Sequence, residues 1–336
     1  MTNAGQSPPT PVFAPGDPVP PISLPDPKGG GMALTEQTIA GATLVLWLAG
    51  AAPSAAVARD LVAQRAALEN LGARVFAVTR SADVAGLDTL CDPEGRLSVA
   101  FGLSGPGMIV IDGEFRLAVV LADAGGVAGV VAECRRLHDL TSDEPVRGQA
   151  PVRVVHRVLD AAQCRRFIDS WTQGEKRLNL ISDVAGGALQ DASTLKRRAD
   201  VSVTDMELVA ILSHAMARRV APSIMKAFQR EVTRFEGFRI GCYDAADRGA
   251  FGAHRDNATP LSKHRLFAVS LNLNADFAGG EVRFPEYGRR LYRPDPGDAV
   301  VFSCSLVHEA LPVLSGRRFG IFTFLYDERG AGSGQA

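Results

Sequence analysis

His254, Arg255 and Asp256 place an imidazole and a carboxylate two positions apart, directly after the turn-rich segment AADRGAFGA. On an extended backbone positions i and i+2 face the same side, so His254 and Asp256 converge while Arg255 points away. His308 lies at the end of the stretch DAVVFSCSLVH and becomes a third ligand if a rolled sheet brings it back against that pair. Two imidazoles and one carboxylate on one face leave three coordination positions open, an arrangement that suits Fe(II) holding both a co-substrate and O2. Arg318 follows in SGRRFGIFTFLY. A planar guanidinium inside a sheet costs desolvation unless it meets a carboxylate, and the distal carboxylate of a bound 2-oxo diacid is such a partner.

The elements that must carry these residues are legible around them. Val152 to Leu159 alternates as a strand, Asp160 caps a helix running to Trp171, and residues 205–228 have apolar positions at helical spacing. From Phe235 onward short strands take over: FEGFRIGCY, RLFAVSLNLN, GEVRFP, RRLYRP, DAVVFS and RRFGIFTFLY, separated by Gly, Pro and Asp. Helices followed by many short strands predict an α+β domain, a jelly roll with supporting helices. In the first half, TLVLWL and RVFAVT read as buried strands flanking an amphipathic helix at 56–71. MIVID leads through Gly113 into a second strand and a closing helix at 127–137. That order predicts a three-layer α/β fold. The polar stretch LTSDEPVRGQAP separates the two, giving domains at 1–140 and 152–330 joined by a linker at 141–151.

The phrases FRIGCY, HRDN, SLNLNADFAGGEVRFPE, PDPGDAVVFS, HEALPV and GRRF, in that order, resemble the 2-oxoglutarate- and Fe(II)-dependent dioxygenases, particularly the prolyl 4-hydroxylase-like branch, over about residues 150–327. The resemblance implies a double-stranded β-helix, with His254, Asp256 and His308 as iron ligands and Arg318, rather than Arg317, as the 2-oxoglutarate anchor. Tyr243 and Asn272 match further co-substrate positions, although the family commonly has tyrosine where Asn272 stands. It also implies O2 as co-substrate, ascorbate as a supporting reductant, and hydroxylation of a prolyl, peptidyl or small-molecule substrate with release of succinate and CO2. Asp256 favours hydroxylation over halogenation, since halogenating relatives lack that carboxylate.

Residues about 12–138, through GDPVPPISLPDPKG, LVLWLAG, ARVFAVTR, LCDPEGRLSVAFG and MIVIDGEFRL, resemble the thioredoxin-like fold of the peroxiredoxins. In that family an attacking cysteine opens the helix after the first core strand; here the region reads AGAAPSAAVARD. The expectation is a redox-inactive scaffold, able to recruit a partner or pair with a second copy.

Composition excludes other classes. A net charge of −1 offers no overall basic excess for nucleic acid or anionic lipid. The five cysteines, Cys91, Cys134, Cys164, Cys242 and Cys304, form no CxxC pair and read as reduced thiols. With a proline-rich leader instead of a secretory signal, and no apolar run able to span a bilayer, a cytoplasmic protein is expected. Blander readings hold for His138, His156, His214 and His264 as structural residues, for Lys263 to Arg265 as a solvated basic turn, and for Gly279 and Gly280 as a tight turn or bulge without a chemical role. Cys242 and Cys304 read as core fillers. The competing function is a catalytically silent binding or assembly protein using the thioredoxin-like domain for recognition.

Overall fold

TLVLWLAG forms the central strand Thr43–Gly50 of a five-stranded mixed sheet in the first of two units, residues 1–144 and 145–336. The computed structural model describes residues 12–122, 126–141, 145, 148–178, 180–182, 189–191 and 195–328. Thr43–Gly50 runs parallel to Ala73–Thr79, which runs parallel to Asp88–Cys91; on its other side Gly107–Ile111 and Leu117–Ala122 are antiparallel. Strand alternation sends Val45 and Trp47 toward the helices Ala55–Asn70 and Gly126–Asp139, where they pack with Leu61, Leu68 and Val130. Leu44, Leu46 and Leu48 face the opposite layer, built from the hairpin Ile22–Pro25 and Gly31–Leu34 with Ile39, Phe101 and Phe115. That hairpin and the strand Asp88–Cys91 were not anticipated from periodicity, being four residues each. Part of the expected leader, residues 1–11, and part of the expected linker lie outside the described residues.

The second unit has two main antiparallel sheets. The larger runs in the order Val152–Val155, Ala299–Ser303, Phe267–Asn272, Val313–Tyr326, Arg239–Asp244, Ala199–Ser202, Arg177–Leu178. The smaller contains Lys196–Arg197, Ala250–His254, His308–Ala310, Val282–Arg283 and Leu291–Tyr292. Ile240, Val269, Leu271, Val301, Ile321 and Leu325 turn one face of the large sheet to Phe167, Leu212 and Ile224 of the helices. Each fully buried side chain of this kind contributes about 1.5–3 kcal/mol relative to exposure. The opposite face packs Ala268, Val300 and Phe302 against Val282 of the smaller sheet and against Phe284 and Leu306, which flank its strands in sequence. One strand therefore serves both layers: Phe319 and Ile321 face the helices, while Arg318, Phe322 and Phe324 face the space between the sheets.

Two expected elements depart from the pattern, one in length and one in regularity. The strand across Val152 to Leu159 stops at Val155, because His156 Nδ1 (2.5 Å) and the Arg157 amide (2.7 Å) both bind the Asp298 carboxylate and Arg157 adopts a φ of 55°. The helical stretch at 205–228 is two helices, Met206–Ala215 and Ala221–Phe228, joined through the π-helical segment Met216–Val220. Pro222 has no amide hydrogen to donate back along the helix, and the wider turn precedes it.

Candidate metal centre and co-substrate pocket

His254 ends the strand Ala250–His254 and pairs in register with His308, the first residue of His308–Ala310. The carboxylate of Asp256 lies between them, 3.4 Å from each Nε2. One ligand atom from each of the three falls within 4.8 Å of the others. Each Nδ1 sits against a backbone carbonyl, Gly252 at 2.8 Å for His254 and Leu306 at 3.1 Å for His308. A carbonyl only accepts, so each Nδ1 carries the proton and each Nε2 keeps its lone pair toward the shared centre, as metal ligation requires. Phe251 stacks on His254 at 3.7 Å between centroids, and Phe302 lies 4.6 Å from His308. Burial, reinforced by the His254 charge and opposed by Asp256, pushes His308 below its ordinary pKa. Burial pushes the Asp256 carboxyl upward, but the two histidines and Arg265 outweigh it and hold it below the usual range.

The ligands come together by a route other than strand alternation. Asp256 is in the turn beyond the strand, where its amide donates to Cys304 O (3.0 Å) and its carbonyl accepts from Arg265 Nη1 (3.1 Å). His308 does not end the DAVVFS strand: Ala299–Ser303 belongs to the large sheet, and a turn closed by Leu306 N to Ser303 O carries the chain into the smaller one.

A cavity of about 320 Å³ between the two sheets joins this triad to Arg318 and Tyr243. Arg318 is 3% exposed. It donates to Gly280 O (2.8 Å) and Ser270 Oγ (3.2 Å), its guanidinium lies 5.5 Å from the Tyr243 ring, and no carboxylate among the described residues pairs with it. A buried guanidinium left without an anion is costly, and a diacid whose other end reaches the triad would satisfy it. Gly280 accordingly has a role beyond its turn (φ 73°): a Cβ there would lie 3.2 Å from Arg318 Cδ, and its carbonyl orients the guanidinium.

The structure does not bring Asn272 to this cavity. Its Nδ2 donates to Asn274 O (2.7 Å) and Pro294 O (3.0 Å), fastening a loop, and its Oδ1 is buried without a partner. The polar side chain that reaches the cavity from the same strand is Ser270, two positions earlier on the same face. Tyr243 is buried; its hydroxyl accepts from Arg198 Nη1 (3.1 Å), which in turn pairs with Asp200 through Nε (2.6 Å) and Nη2 (3.0 Å), while Lys196 donates to Asp200 at 2.6 Å. Lys196, Arg198 and Asp200 had no signal in the sequence beyond ordinary charged residues. Arg265 also differs from its solvated reading, since it forms a bidentate pair with Glu236 (2.5 and 2.9 Å) and lines the cavity.

Residues 238–326 match the 2OG-Fe(II) oxygenase superfamily; no curated protein matches the chain. Among solved structures the chain is similar to a prolyl hydroxylase from Trichoplax adhaerens, in complex with a hypoxia inducible factor oxygen degradation domain peptide fragment. The identity is 13% over 56% of this chain and 89% of that one, with a TM-score of 0.47. A Pseudomonas putida prolyl-4-hydroxylase is 16% identical over 54% of this chain and 94% of its own, TM-score 0.43. A Mycobacterium tuberculosis peroxidoxin, BcpB, is 18% identical over 37% of this chain and 98% of its own, TM-score 0.32. The matched segment contains the two histidines, the aspartate and Arg318 in the geometry described above: the C-terminal unit carries a 2OG-Fe(II) oxygenase domain.

Proposed function

We propose that the chain is an Fe(II)- and 2-oxoglutarate-dependent hydroxylase whose co-substrate is anchored by Arg318. The observation that carries this reading is one cavity holding both an oriented His–Asp–His set and a buried guanidinium that no carboxylate among the described residues pairs with. Fe(II) with 2-oxoglutarate and O2 supplies the oxidising power, one oxygen atom going to succinate as CO2 leaves and the other into a substrate C–H bond. His254, Asp256 and His308 would hold the metal on one side and leave the other side open. Arg318 would receive the distal carboxylate in a bidentate pair, with Ser270 Oγ and Gly280 O keeping its plane fixed and Tyr243 beneath it. Phe251, Phe302 and Phe322 contribute apolar wall to the cavity, which limits water at the reacting position. Ascorbate fits this chemistry as a reductant that restores Fe(II).

The jelly-roll reading of the C-terminal unit is supported by its two antiparallel sheets with the triad between them. The reading of the N-terminal unit as a peroxiredoxin-like, redox-inactive thioredoxin fold is supported by its mixed sheet and by Ser54, whose hydroxyl caps the helix Ala55–Asn70 where an attacking cysteine would stand. Such a domain would serve to recruit a partner or a second copy. A cytoplasmic location belongs to the same proposal; burial drives the Cys134, Cys164 and Cys242 thiols up to about 12 and keeps them unreactive. The substrate is a peptide, protein or small molecule presented at the open side of the metal.

Under anaerobic conditions the chain loaded with Fe(II) and 2-oxoglutarate should develop a weak visible charge-transfer band. Absence of the band in the wild type, or its persistence in the double variant Asp256→Ala, His308→Ala, would overturn the assignment.

A further inference from the structure

The cavity carries more positive charge than the metal and a diacid co-substrate call for. Lys196, Arg198, Arg239, Arg255, Arg265 and Arg318 line it, against the carboxylates Asp256 and Glu309. Most of these cations have partners close by. Arg255 meets Glu286 at 2.7 Å, Arg265 takes Glu236 in a bidentate pair, Lys196 and Arg198 engage Asp200, and Glu309 is held by Arg283 at 2.8 Å. Arg239 is different. Its nearest carboxylate is Glu236, with Nη2 3.8 Å from Oε2, and that same oxygen already accepts from Arg265 Nη2 at 2.9 Å while Oε1 accepts from Arg265 Nε and His264. Burial and the repulsion of Arg198 and Arg265 outweigh the longer-range attraction of Asp200 and Glu236 on this guanidinium, whose side chain is still 35% exposed.

Its position is set by the strand Arg239–Asp244. Arg239 is on the face of Tyr243, four residues away, so the two are separated by about 13 Å along the strand. Arg239 pairs in register with Phe322 and Tyr243 with Arg318, so the two arginines stand at opposite ends of one sheet face. Arg239 and Arg265 share the Phe324 ring, at 5.9 and 3.9 Å from its centroid, and Arg265 donates to the carbonyl of the ligand Asp256. A group bound to Arg239 therefore lies in the same cavity as the triad, on the side of Arg265 and away from the co-substrate anchor.

We infer that Arg239 is a specificity-determining residue that receives a carboxylate of the substrate, so that this enzyme acts on an acidic molecule. This rests on the oxygenase reading for what happens at the metal, although the anion site itself does not. A carboxylate fits Arg239 because a planar guanidinium with a free edge offers two parallel donors to it. The same chemistry is available from an amino-acid-like small molecule and from an acidic side chain of a peptide.

The test uses the full chain with Mn(II) and saturating 2-oxoglutarate, titrated calorimetrically with matched probes. These are N-acetylglycine, N-acetyl-L-leucine and N-acetyl-L-glutamate against their methyl esters, and N-acetyl-Gly-Asp-Gly-amide against its Asn counterpart. At least one acid should bind ten-fold or more tightly than its neutral twin; preference among the free acids assigns a small molecule, preference for the Asp peptide a protein substrate. Arg239→Gln should abolish the preference and Arg239→Lys retain part of it, both with cooperative thermal unfolding. Equal binding of acids and neutral twins, no binding by any probe, or a preference surviving Arg239→Gln would overturn the inference. Failure of 2-oxoglutarate itself to bind the wild type would instead count against the oxygenase reading, since an acid preference lost on Arg239→Gln is measurable without it.

Discussion

Replacing Arg318 by methionine separates a ligand-binding guanidinium from a structural one, because the two roles predict opposite balances of stability and affinity. Truncating one side of a buried, hydrogen-bonded charge pair costs about 2–5 kcal/mol, and each factor of ten in Kd is about 1.4 kcal/mol. The Kd for 2-oxoglutarate should therefore rise by about 30-fold to a few thousand-fold. In the chain without co-substrate the change should be small. Arg318→Met removes a buried charge that has no carboxylate partner among the described residues and strands Gly280 O and Ser270 Oγ, terms of opposite sign and about 1–3 kcal/mol each. A net change within about 2 kcal/mol is expected, against the 3–5 kcal/mol typical of breaking a buried protein ion pair. Thermal unfolding with and without 2-oxoglutarate reads both quantities. At a concentration one hundred times the wild-type Kd, the ligand stabilises the wild type by about 2.7 kcal/mol and the variant by about 0.9 kcal/mol or less. An unchanged ligand-induced shift, or an unliganded variant that loses more than about 3 kcal/mol, would refute the reasoning.

Other substitutions probe the walls around the site. Gly241→Val brings a Cβ within 2.7 Å of Arg198 Cδ and 2.8 Å of Asp200 Oδ1, and it should cost at least about 1–3 kcal/mol by overpacking; urea unfolding that shows less than 0.5 kcal/mol, as an order of magnitude for neutral surface changes, would mean that the pair yields freely. Burial lowers Lys196 from 10.5 to about 8, helped by Arg198 and opposed by Asp200. Between those values the unfolded chain holds a proton that the folded chain has released, so the stability of wild type relative to Lys196→Met should rise with pH across that window, by up to about 3 kcal/mol; a pH-independent difference would contradict it. Asp160 and Gln163 form a reciprocal cap at the start of Ala161–Gln173, so Asp160→Ala should lower stability by about 1 kcal/mol in denaturant titration, and no loss would show that the cap is replaced by solvent.

How far the sequence reached depends on the distance over which each determinant acts. The N-cap at Asp160 and the apolar strands were legible because their causes lie within a few residues: an acceptor at the N-cap, alternation at every second position. His254, Asp256, His308 and Arg318 were legible as residue types in order, yet strand alternation does not join His254 to Asp256: the structure uses the Asp256 amide bound to Cys304 O, in the turn that follows a strand of the other sheet. That bond is invisible to local periodicity because any residue at 304 supplies the same carbonyl. Asn272 and Ser270 show the same limit from the other side. Both face one way on Phe267–Asn272, so alternation cannot choose between them; the choice is made by the carbonyls of Asn274 and Pro294, which capture the Asn272 amide, and by Arg318, which reaches Ser270. The least legible feature is the charge balance of the cavity. Glu236 lies 3.8 Å from Arg239 but 2.5 Å from Arg265, and a net charge of −1 over the whole sequence gives no sign of which cation, among the described residues, lacks a carboxylate at hydrogen-bonding distance. Charge neutrality is a property of the whole chain, whereas recognition depends on a few ångströms, and only the fold converts one into the other.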